Sequence, residues 1–123
     1  MSIRIAVIAL TALSLAAASR PAHAATPDPA FAKESGECAA IMLKLWEVTE
    51  DGPQKQSYYD LGGIMIQAAV GAGASKDQMM GFQQGVDDKI RAEGTAYLGQ
   101  KIERCKAFLG ENQTKLAQYA AGG

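Results

Sequence analysis

Two cysteines, Cys38 and Cys105, constrain the fold of this chain more than any other feature. Each lies on a run of apolar residues spaced by threes and fours. The first run is Cys38, Ile41, Met42, Leu45, Val48 and Thr49, with Trp46 at its edge. The second is Leu98, Ile102, Cys105 and Leu109. That spacing marks helices with one buried stripe. Both cysteines therefore point inward from helices far apart in sequence.

The N-terminus says what such a pair becomes. Met1-Ser2-Ile3-Arg4 carries one positive charge, and Ile5 to Ala18 is apolar apart from Thr11 and Ser14. Ala22-His23-Ala24 supplies the small residues of a cleavage site. These are the three regions of a secretory leader, expected to be cut after Ala24. The apolar stretch is about 14 residues, short of the roughly 20 a membrane span needs. No stable membrane insertion is expected once the leader is gone. The destination is periplasmic or secreted, an oxidising place where an even cysteine count reads as pairing. One intramolecular bridge is available, Cys38–Cys105, and no C-x-x-C spacing argues for a redox or metal pair. Closing a loop of roughly 68 residues stabilises a fold by about 4 kcal/mol on the chain-entropy model.

Residues 25–123 remain as one domain, with a loose tail over 25–30 and a frayed end over 121–123. Cleavage removes Arg4 and Arg20 but no acid. That leaves 10 basic against 13 acidic residues, a net charge of −3. A mildly acidic chain with scattered bases does not suit nucleic acid, which needs clustered Lys and Arg against phosphate. The only histidine, His23, leaves with the leader. Ser-His-Asp and Cys-His catalysis go with it, as do almost all zinc sites. No enzyme activity and no cofactor are expected.

The fold class is all-α: a small antiparallel bundle of four main helices, a short C-terminal helix and one disulfide. The first helix starts at Asp28 or Ser35 and ends near Thr49. The second spans about 54–70. The third follows Ser75, whose partner Gln78 completes a capping box, and buries Met79, Phe82, Val86 and Ile90. A bend or break falls at Gly94, with Thr95 as a cap, because the apolar stripe turns there by roughly 100°. The fourth helix runs from about Ala96 to Leu109 and stops at Gly110. A last one begins at Glu111-Asn112. The layout resembles small two-cysteine helical proteins of the bacterial periplasm, among them acid-stress chaperones and toxin-neutralising immunity proteins. The resemblance is one of architecture and assigns no functional residue.

Several constellations mimic chemistry. Asp87 and Asp88 with Glu93 form an acidic cluster, but adjacent helical residues diverge by about 100° and Lys89 and Arg91 stand beside them. Gly71-Ala72-Gly73-Ala74-Ser75-Lys76 lacks P-loop spacing and reads as a turn and a cap. Met42, Met65 and Met79 read as core filling, and Met80 as exposed. Asn112-Gln113-Thr114 fits a glycosylation acceptor.

The second helix is the segment with functional content. Tyr58, Leu61, Ile64, Met65, Ile66, Ala68, Ala69 and Val70 spread its apolar side chains over about 240° of its circumference. Such a helix is central in its domain or meets a second chain. Tyr58 and Tyr59 are adjacent, so only one can point inward. The expected working surface is Trp46, Tyr58, Tyr59, Ile64, Met65 and Ile66. The expected role is non-enzymatic: binding a protein partner or self-association, in a chaperone-like or immunity-type capacity. A small apolar-ligand carrier, with a cavity among the second, third and fourth helices, is the alternative.

Overall fold

The computed structural model describes residues 26–122. The expected leader over 1–24 lies outside the described residues. Five helices follow in order: α1 Pro29–Val48, α2 Pro53–Gly71, α3 Lys76–Glu93, α4 Thr95–Glu111 and α5 Gln113–Gly122. No strand occurs among the described residues, and the helices pack on one another as the stripes require.

Asp28, not Ser35, starts α1. Its Oδ1 accepts a hydrogen bond from the Phe31 amide at 3.2 Å, and Pro29 occupies a first-turn position where no amide donor is needed. Ser35 lies inside the helix, fully buried, and donates to the Met65 carbonyl at 2.7 Å. Residues 26–30, read as a loose tail, make specific contacts. The Asp28 amide donates to the Ala72 carbonyl at 2.9 Å, and the Tyr119 hydroxyl donates to the Thr26 carbonyl at 2.9 Å.

Both halves of the Ser75–Gln78 capping box form, at 3.1 and 2.8 Å. The break at Gly94 is real, but Thr95 does not cap it. Gly94 itself ends α3 and begins α4, at a φ of +68° that a β-carbon would oppose. Gly110 does not stop α4, which runs one residue further. Asn112 ends it instead: its amide and its Nδ2 both donate to the Phe108 carbonyl at 3.0 Å.

The wide apolar arc of α2 suggested a central helix, and α2 does meet α1, α3 and α5; α1 nevertheless buries more of its residues. It contributes Phe31, Ala32, Cys38, Ala39, Ala40, Ile41 and Met42 to the core and meets α2, α3 and α4. Small residues at Ala32, Gly36, Ala39 and Ala40 fall on one side of α1, where neighbours can come close. A β-carbon on Gly36 would stand 2.5 Å from the Phe82 ring, so that ring lies directly on the α1 backbone. The short α5 packs on α2. There the Gly71 backbone abuts the Tyr119 backbone so closely that no side chain fits between them.

Cys38 and Cys105 are bonded, with Cα atoms 5.5 Å apart and both residues fully buried. Two ion pairs flank the bridge along the α1–α4 seam: Glu37–Lys101 at 2.8 Å and Glu34–Arg104 at 2.7 Å. The α1 stripe outruns its partners. Ile41 is buried, Leu45 half-buried and Val48, expected inward, 80% exposed.

Candidate functional site

A second stripe on α1, made of Gly36, Ala39, Ala40 and Leu43, faces a groove between α2 and α3. These positions recur at i, i+3, i+4 and i+7, so they share one helix face. Ile66 of α2 forms one wall. Met79, Met80 and Gln83 of α3, with Lys76 at the rim, form the other. α2 and α3 barely touch, which leaves the groove open between them. Its volume is about 150 Å³. A cavity of that size takes roughly one benzene ring, whereas small-molecule pockets run to about 300–1,000 Å³.

The wall on α2 continues as a stripe. Tyr59, Gly63, Ile66 and Val70 are separated by four, three and four residues, within about 60° of one another round the helix. Tyr59 is 53% exposed, Val70 47% and Ile66 36%. Across the groove Met80 is 60% exposed. At the α1–α2 turn the stripe ends in an aromatic corner. The Tyr59 and Trp46 rings lie 5.9 Å apart, and the Lys55 ammonium sits 5.1 Å over the Trp46 ring.

Of the expected surface residues, Trp46, Tyr59 and Ile66 come together on this face. Tyr59 is the outward tyrosine of its pair. Tyr58 packs half-buried against the core and accepts a hydrogen bond from Gln54 Nε2 at 3.1 Å. Met65 corrects the expectation. It is fully buried, because the α2 face that carries it is pressed against α1. Ile64 is 44% exposed but lies about 130° round the helix from the stripe, so it belongs to another flank. Leu43, Val70 and Met80 escaped sequence reasoning as parts of one face. Val70 was legible as the next step after Ile66, while Leu43 and Met80 join only through tertiary packing.

The competing constellations are occupied by ordinary contacts. Asp87 pairs with Lys44 at 3.1 Å, Asp88 with Arg91 at 3.5 Å and Glu93 with Lys89 at 3.3 Å. Two of these pairs are short-range partners on α3, as expected of a solvated helix face. Asn112 spends its side-chain amide on the α4 terminus. Met42 and Met65 are core residues, and Met79 is packed partly buried against them. Burial raises the Tyr97 pKa above the ordinary value. No group of three or more metal-ligating side chains occurs among the described residues. No described helix is long and apolar enough to cross a membrane.

The chain finds no match among protein-family models, curated proteins or solved structures.

Proposed function

We propose that this is an exported, non-enzymatic interaction protein, periplasmic or secreted, whose working face is the apolar stripe of α2 with the groove beside it. One observation carries the reading: Tyr59, Ile66 and Val70 lie exposed along one stripe of α2, and Met80 stands exposed across the groove from Ile66. Scattered exposed apolar residues are normal on a protein surface, whereas aligned ones bordering a groove mark contact sites. The groove's small volume favours one anchoring side chain over a lipid or metabolite. The aromatic corner of Trp46 and Tyr59 adds the residue types that dominate interface energetics.

A photoactivatable cross-linker placed at Tyr59, compared with one at the exposed Gln118 on α5, tests this in the cells that make the protein. An adduct at Tyr59 without one at Gln118 is expected. Equal labelling at both positions, or none at Tyr59, overturns the reading.

A further inference from the structure

Resting on that reading, we infer that the groove between α2 and α3 holds one apolar side chain of a partner polypeptide, Leu to Phe in size, while a carboxylate of the same segment pairs with Lys76.

Charge singles out the occupant. Between Asp60 and Asp87 the chain carries only two charged residues, Lys76 and Asp77, although Asp, Glu, Lys and Arg make up 20% of the sequence. That stretch supplies both outer walls of the groove, through Ile66, Met79 and Met80. Uncharged walls suit an apolar side chain, because a charge pressed against them would lose its hydration without gaining a partner.

Lys76 is the exception on the rim. Among the described residues, Lys33 and Lys76 are the only bases without an ion-pair partner. Lys76 also stands in the first turn of α3, where the helix dipole opposes a cation. A carboxylate arriving from outside supplies the counter-charge that the chain does not. Asp77 diverges by about 100° round the helix, and it does not line the groove.

The geometry sets the spacing of the two groups. α1 and α3 run parallel, since Phe82 lies against Gly36 and Asp87 pairs with Lys44. Lys76 therefore sits at the Gly36 end of the groove, one helical turn, about 5 Å, before Met79 and Met80. An extended peptide advances about 3.3 Å per residue. The carboxylate thus belongs one or two positions from the apolar residue. With a single anchor and one exposed ion pair, binding is transient, with a dissociation constant on the order of 1 mM.

Methyl NMR of the disulfide-bonded protein tests the inference, with acetyl-Gly-Ser-Phe-Asp-Ser-Gly-amide as the probe at low salt. The peptide is expected to shift the methyls of Ile66, Met79 and Met80 along a saturating curve. Replacing its Phe with Ala should abolish the shifts. Replacing its Asp with Lys should weaken binding about threefold or more. Lys76→Glu, at an exposed and unpaired position, should invert that preference. Silent groove methyls, or a peptide preference indifferent to Lys76→Glu, overturn the inference. Shifts of the same methyls on diluting the protein alone would assign the groove to a second copy. Tighter binding of hexanoate than of the peptide would assign it to a small carboxylate. Either result also overturns it. Silent methyls beside a specific Tyr59 adduct defeat the groove assignment alone, whereas equal labelling at Tyr59 and Gln118 defeats the interaction reading.

Discussion

Asp28 shows how much one side chain can hold together at the edge of a small bundle. One carboxylate oxygen caps α1, and the other accepts from Lys115 of α5 at 2.6 Å. The Lys115 hydrogen bond first, and the Phe31 amide second, hold the Asp28 pKa below its usual value. Lys115 is held above its usual value, by the same hydrogen bond. A depressed carboxylate contributes stability that is present above its unfolded pKa, about 3.9, and lost as pH falls through the folded value. Acidification below about pH 4 should therefore loosen this corner. Asp28→Asn keeps a capping oxygen and should flatten the acid limb of stability against pH. Asp28→Ala also loses the cap, costing about 1 kcal/mol at neutral pH. Chemical denaturation at several pH values separates the two. An acid limb unchanged in Asp28→Asn would assign the pH dependence elsewhere.

Glycines divide the helices into close approaches and open faces. The Gly71 backbone lies against the Tyr119 backbone, which cannot swing aside. Gly71→Ala should cost about 1–3 kcal/mol and free α5 from α2. Gly63 faces open space within the chain, so Gly63→Ala should raise thermal stability by about 1 kcal/mol when measured dilute. Melting both variants at low concentration checks the contrast, and a destabilised Gly63→Ala would mean an intrachain contact there. The helices themselves were readable because a stripe of period 3.6 is a local property. The break at Gly94 and the inward cysteines followed from it, and the Ser75 cap from its own capping-box motif. That α1 buries more of its residues than α2 was not readable. A broad apolar arc says how much surface a helix must cover, but not which neighbours cover it. Val48 misled for a related reason: periodicity continues along a helix after its partners have ended. The candidate face was legible at Trp46, Tyr59 and Ile66, all on or next to one helix. Met80 joins from α3 through packing that no local pattern encodes.

For the molecule as a whole, the disulfide supplies what a limited core cannot. A domain of about 100 residues buries only some two-thirds of its unfolded surface, and its net stability is roughly 5–10 kcal/mol. Replacing Cys38 and Cys105 with alanine should remove about 4 kcal/mol of that. The flanking pairs Glu34–Arg104 and Glu37–Lys101 hold the same seam but are partly exposed and add little. Denaturation of the double variant, with helicity followed by circular dichroism, measures the loss. A loss under about 1 kcal/mol would mean that packing alone secures α1 to α4.

The covalent ring running from Cys38 to Cys105 encloses α2 and α3 and leaves α5 outside. The two segments beyond it tie to each other, through the Phe31 ring, tilted against those of Phe108 and Tyr119 with centroids 5.4 and 5.2 Å away. Tension applied at Thr26 and Gly122 is thus borne first by this terminal clasp and then by the sulfur bond. Only about 30 residues can pay out before the ring halts extension, on the order of 100 Å. The face carrying Tyr59, Ile66 and Met80 lies wholly inside the ring, in the part of the chain that such a pull does not unravel.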